Sequence, residues 1–150
     1  MKVYTDGSSR GNPGPGGWGV VAVDDNDEVV WCYGEQEEQT TNNRMELRAI
    51  AYAFYKFGVK KSAAAGDEVP DIYTDSSYAV NTLTSWMFTW AQNNWIKSDK
   101  KVPENLDIIK PIYDFWQKGY RMKLHKIKGH AGIKYNELAD QIAKGEKLDF

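Results

Sequence analysis

With 150 residues, 41% of them hydrophobic and 27% charged, the chain has the make-up of one soluble globular domain, 1–150, large enough to bury a core without staples. Cys32 is the only cysteine, which excludes an intrachain disulfide and a thiol cluster for zinc and favours a reducing compartment. There is no leader-like stretch before the first strand and no membrane-length apolar run, so a complete cytoplasmic protein with no membrane contact is expected. The net charge of −2 conceals an uneven distribution. Between Gly11 and Asn43 there is no Lys or Arg among many acids, whereas Phe115 to Asn136 carries Lys118, Arg121, Lys123, Lys126, Lys128 and Lys134 and no acid. One face can therefore be basic while the total stays acidic.

Val3-Tyr4-Thr5-Asp6 reads as a strand that runs into Gly7-Ser8-Ser9, and the turn-rich Gly11-Asn12-Pro13-Gly14-Pro15-Gly16-Gly17 follows. Trp18 to Val23 and Val29 to Gly34 read as two further strands about an acidic turn, so the first three strands form an antiparallel meander. The polar stretch Glu35 to Thr41 then leads to Asn42 or Asn43 as the cap of a helix from about Arg44 to Phe57. That helix carries Leu47, Ile50, Ala51, Phe54 and Phe57 on one face, with Glu46 on its border.

Ile72-Tyr73-Thr74-Asp75 repeats the opening phrase, and a connection of that length through a helix makes it parallel to the first strand. A helical pattern continues from Ser76 to Trp90, a second from Pro103 or Glu104 to Lys118, and a third from Tyr135 to Ala143. Met122 to Ile127 alternates apolar with basic residues, as a half-exposed strand does.

If the two Tyr-Thr-Asp strands are neighbours, Asp6 and Asp75 emerge at one sheet edge. Two bare carboxylates about 4 Å apart repel by roughly 4 kcal/mol at an effective dielectric of about 20, and a hard divalent cation between them removes that cost. The plainer reading is a pair of turn-starting Asp-Gly and Asp-Ser caps. Glu46 near the start of the first helix and Asp140, which lies off the apolar stripe of the last helix, extend the pair to four acids.

Asp6-Gly7-Ser8 with the glycine-rich turn, Thr40-Thr41-Asn42-Asn43-Arg44-Met45-Glu46-Leu47, Tyr73-Thr74-Asp75-Ser76, and Lys128-Gly129-His130-Ala131-Gly132 through Asn136-Glu137 to Asp140 together resemble the type 1 ribonuclease H family. The resemblance covers essentially the whole chain. It implies an α/β ribonuclease H-like fold, a mixed five-stranded sheet with three antiparallel and two parallel strands, flanked by helices. The implied activity is metal-dependent hydrolysis of the RNA strand of an RNA–DNA hybrid, leaving 5′-phosphate and 3′-hydroxyl ends. Two Mg²⁺ ions, for which Mn²⁺ substitutes, would be held by Asp6, Glu46, Asp75 and Asp140, and His130 would assist near the scissile phosphate.

The resemblance also assigns contacts to the hybrid. Asn12, Asn43 and the backbone around Gly11 would read the RNA 2′-hydroxyl beside Glu46, Thr41 and nearby amides would hold a DNA phosphate, and Asn42 would be a further nucleic-acid contact. The segment from Trp86 to Lys101 matches the family's substrate-handling protrusion, in which Trp86, Trp90, Lys97, Lys100 and Lys101 would meet the DNA strand. Ala91 to Asn94 is uncharged where many relatives are basic, so the electrostatic grip is expected to be weaker. Ser77 stands where several relatives carry Gln, and no RNA contact is assigned to it. His125, inside a strand, is expected to be structural. No hybrid-binding module is expected ahead of Asp6, and a monomer is expected. The alternatives are the ribonuclease domain of a reverse transcriptase, a nuclease of the same architecture acting on DNA, and a binding module with a dead site.

Overall fold

The computed structural model describes residues 1–60, 69–128 and 134–146. Its main sheet has the strand order β3-β2-β1-β5-β7, where β1 is Lys2–Ser9, β2 Gly14–Val23, β3 Val29–Thr40, β5 Asp71–Thr74 and β7 Lys123–Lys126. β1, β2 and β3 pair antiparallel, while β1–β5 and β5–β7 pair parallel, which matches the expected mixed five-stranded sheet. The in-register partners Val3↔Ile72 and Tyr4↔Tyr73 set the repeated phrases side by side.

Alternation along β1 sends Val3 toward helix α1, Asn42–Phe57, and Tyr4 toward helix α5, Lys134–Ala143. On the α1 side, Val3, Val20, Ala22 and Ile72 pack with Met45, Leu47, Ile50 and Phe54, and with Ile108, Ile109 and Ile112 of α4, Leu106–Gln117. On the other side Tyr4, Val21 and Val23 form a smaller cluster with Ala139. The sheet thus lies between two helical layers, with β1 packed against both α1 and α5.

Several boundaries differ from expectation. β3 continues to Thr40 instead of stopping at Gly34, because Glu35, Gln36 and Glu37 pair with Trp18, Gly17 and Gly16 although their side chains are exposed or half-exposed. Thr41, not an asparagine, caps α1: its side chain accepts from Arg44 N at 3.2 Å, while the Asn42 side chain turns away to accept from Ser9 N at 2.6 Å.

The single helix expected from Ser76 to Trp90 is α2, Ser77–Asn81, a π-helical turn, Thr82–Trp86, and α3, Met87–Gln92. α4 starts at Leu106, after a left-handed Asn105. A two-residue pairing of β4, Val59–Lys60, with β6, Tyr120–Arg121, was not anticipated, being too short to leave a pattern. Among the described residues no helix is long and apolar enough to cross a membrane.

Candidate active site

Asp6 and Asp75 each lie two residues beyond the paired Tyr4 and Tyr73, so parallel register alone brings their carboxylates to one edge. Asp75 occupies the short link between β5 and α2. That link is set by Thr74 Oγ1, which accepts from Ser76 N at 3.1 Å, and by Ser76 Oγ, which caps Ala79 N at 3.0 Å. Gly7 lets α1 approach: a Cβ there would fall onto the backbone of Met45 and Glu46. Backbone contact at that point places the Glu46 side chain beside Asp6. On the opposite face Gly19 does the same for α5, since a Cβ would strike the Ala139 carbonyl and Ile142, which flank Asp140.

Asp6, Glu46 and Asp75 each present a carboxylate oxygen within 4.8 Å of the other two. Asp6 is 3% and Glu46 8% exposed, and Glu46 Oε2 is buried with no hydrogen-bond partner. Burial, then the charge of Asp75 and the hydrogen bond and charge of Asp140, push Asp6 up to about 7 against the opposing pull of the Gly7 N–H, 2.9 Å from Asp6 Oδ1. Burial first, then the charges of Asp6 and Asp75, raise Glu46 well above the ordinary carboxylate range. Asp140 adjoins Asp6 and pairs with Lys144 at 3.0 Å.

This is the reverse of a structural ion pair. Three acids are driven together, two of them buried, with an oxygen left unpartnered and, among the described residues, no Lys or Arg within ion-pair distance of the three. Oxygen donors alone, drawn from separate elements, fit a hard divalent cation. Glu46, expected on the border of the buried face, is instead inside it.

Around the acids, Asn12 Oδ1 accepts from Asn42 N at 3.0 Å, and Ser9 Oγ donates to Gly11 O at 2.6 Å, so Gly11, Asn12 and Asn42 form one network with Ser9. Gly11 needs its glycine, at φ +100°. Asn43 is exposed at the helix start and Thr41 is half-buried beneath it. Trp86, 42% exposed, and Trp90 line a groove of about 900 Å³ with Tyr78, Thr89, Ile96 and Lys97. Lys97 is paired with Asp99 at 3.8 Å, and Lys100 and Lys101 are exposed on the turn beside it. His130 lies outside the described residues. His125 accepts or donates a 2.8 Å bond with Asp71 and stacks on Tyr73.

Sequence reasoning passed over Arg44, Asn105 and Lys144. Arg44 grips Asp107 with two bonds of 2.9 and 2.7 Å and reaches Asn105 at 3.2 Å, and Asn105 donates to Tyr78 OH at 3.0 Å. The start of α1 is thereby tied to the wall of the tryptophan groove. A polar residue just ahead of the Leu106 stripe was the available signal for Asn105. For Lys144 it was the four-residue spacing from Asp140.

A carboxylate cluster at the ends of the parallel strands of a mixed sheet, between two helical layers, defines an α/β protein with a candidate divalent-cation site. The RNase H family model matches residues 1–147, and the chain belongs to that family. It is 41% identical over 144 residues to a Ribonuclease H of Rhizobium etli, with 96% of this chain and 89% of that protein covered. Among solved structures, LC9-RNase H1, described as a type 1 RNase H with the type 2 active-site motif, aligns with a TM-score of 0.73 at 30% identity, covering 96% of this chain and 70% of that one. LC11-RNase H1 in complex with RNA/DNA hybrid aligns with a TM-score of 0.68 at 23% identity over 97% of this chain and 94% of that one, a likeness of fold.

Proposed function

We propose that this chain is a metal-dependent endoribonuclease that hydrolyses the RNA strand of RNA–DNA hybrids and leaves 5′-phosphate and 3′-hydroxyl ends. The observation that carries this reading is the trio of carboxylates within 4.8 Å at the end of two in-register Tyr-Thr-Asp strands, in a chain of the RNase H family. Asp6, Glu46, Asp75 and Asp140 would hold Mg²⁺, with Mn²⁺ as a substitute. A divalent ion bound there supplies positive charge to the phosphodiester and a water of lowered pKa.

The residues of the chain do the rest. Asp6, raised to about 7, and Glu46, raised well above its ordinary range, favour the protonated form while the site is free of cations, so loading releases protons. The Ser9–Asn12–Asn42 network fixes polar groups beside Glu46, where Asn12 and Asn43 read the 2′-hydroxyl that distinguishes RNA. Thr41 and the adjoining helix N-terminus take a DNA phosphate. Trp86 and Trp90 receive the DNA strand in their groove, with Lys97, Lys100 and Lys101 supplying charge. His130 would relay a proton or help product leave.

The test is an end-labelled RNA–DNA hybrid incubated with the protein in chelator, in Mg²⁺ and in Mn²⁺, with the termini of the fragments determined. Cutting in either metal, none in chelator, and 5′-phosphate ends are expected. Metal-independent cutting, or 2′,3′-cyclic phosphate ends, would reject the reading.

A further inference from the structure

The last helix is followed directly by a lysine that faces the acid cluster. Lys144 comes one helical turn after Asp140, and its Nζ lies 3.0 Å from Asp140 Oδ2. An Asp–Lys pair four residues apart near a helix C-terminus normally stabilises the helix by a few tenths of a kcal/mol and needs no other role. The surroundings of this pair set it apart. Asp140 is only 16% exposed, and its charge bears directly on the buried Asp6. Among the described residues, Lys144 is the one cation within ion-pair distance of any of the four carboxylates. The hydrogen bond and charge of Asp140, and at longer range Glu146 and Asp6, hold the ammonium above its ordinary value, so it stays charged wherever the enzyme works.

We propose that Lys144 is a built-in counter-ion of the acid cluster, occupying the Asp140 end while no divalent cation is bound and yielding it when one arrives. The inference rests on the reading of the acids as a divalent-cation site. A cation that approaches Asp140 must either share the carboxylate with a fixed positive charge or displace it, and either way it binds more weakly than to bare acids. The displaced side chain has room to move: Lys144 also borders a recess of about 380 Å³ whose lining includes Ser8, Ser9, Pro15 and Gln36. The exchange is of one cation for another and involves no change in the protonation of the lysine. Its consequences have opposite signs, since the pair steadies the metal-free fold and lowers metal affinity in the absence of substrate.

The test uses the whole chain, with Lys144→Met to keep the stem and remove the charge and Lys144→Arg to keep the charge. Calorimetric titration with MgCl₂ alone and melting curves in chelator are measured for both variants, for the parent and for Asp75→Asn. Lys144→Met should bind Mg²⁺ about three- to tenfold more tightly than the parent, the effect of one screened positive charge near a divalent ion. It should also melt lower in chelator, with Lys144→Arg restoring parent behaviour in both respects. Unchanged or weaker Mg²⁺ binding by Lys144→Met, even with a lowered melting point, would reduce Lys144 to a helix-end residue and overturn the proposal. If parent and Asp75→Asn fail alike to take up Mg²⁺, the cation reading of the acids falls and the proposal falls with it. Tight binding by the parent and equal binding by Lys144→Met defeats the proposal alone.

Discussion

Asp6 concentrates the physics of the site. Its carboxyl is raised from an ordinary 3.8 to about 7, so between those values the folded chain holds a proton that the unfolded chain has lost. The contribution of this group to metal-free stability is therefore full below about pH 4 and is lost as pH rises toward 7, by up to about 4 kcal/mol. Asp6→Asn should abolish cleavage, flatten that part of the pH profile and, near pH 8 in chelator, raise stability by about 1–3 kcal/mol after screening. Denaturant melts across pH 4–8 in chelator check this. An asparagine variant less stable than the parent throughout would mean that the bond from the Gly7 N–H outweighs the repulsion. His130, assigned as an assistant and not a ligand, makes a second residue-scale prediction: His130→Ala slows turnover but leaves Mg²⁺ affinity as it was. A loss of Mg²⁺ binding equal to that of Asp75→Asn would make it a ligand.

Among the elements, the strand phrases were the most legible part of the sequence. Tyr4-Thr5-Asp6 and Tyr73-Thr74-Asp75 announced their own pairing, because parallel register preserves a shared motif and carries both acids to one edge. Glu46 and Asp140 were legible through the family motifs, but their closeness to Asp6 depends on Gly7 and Gly19, whose missing side chains bear no label in a sequence.

The end of β3 was illegible because an edge strand is held by backbone pairing, which Glu35 to Gln39 do not advertise. The cap on α1 was misplaced because Asn42 and Thr41 are equally good caps until Ser9 claims the former. The π-turn within Thr82–Trp86 leaves the apolar pattern of a plain helix. If the approach of α1 to β1 is what positions Glu46, Gly7→Ala should cost about 1–3 kcal/mol through overpacking and lower turnover as well. A variant with parent stability and parent turnover would show that the contact is dispensable. In the protrusion, Lys100→Ala combined with Lys101→Ala should raise KM more than it lowers kcat. An unchanged KM with lost turnover would remove that segment from substrate handling.

Across the whole molecule, charge is segregated. The β2–β3 half carries acids and no Lys or Arg from Gly11 to Asn43, while the run from Lys118 to Lys134 is basic, so a net charge of −2 is compatible with a nucleic-acid partner. The protrusion adds only Lys97, Lys100 and Lys101, one of them already paired with Asp99. Binding should rest as much on the tryptophan groove and on the asparagine network as on phosphate charge, which makes shape and the 2′-hydroxyl the discriminating features. The most direct measurement is therefore a side-by-side cleavage assay in Mg²⁺ on matched RNA–DNA, RNA–RNA and DNA–DNA duplexes, with Asp75→Asn as the control for contaminating nuclease. Cutting confined to the RNA strand of the hybrid and absent from the variant is the predicted result. Comparable cutting of RNA–RNA or DNA–DNA, or a hybrid left intact by the parent, would contradict it.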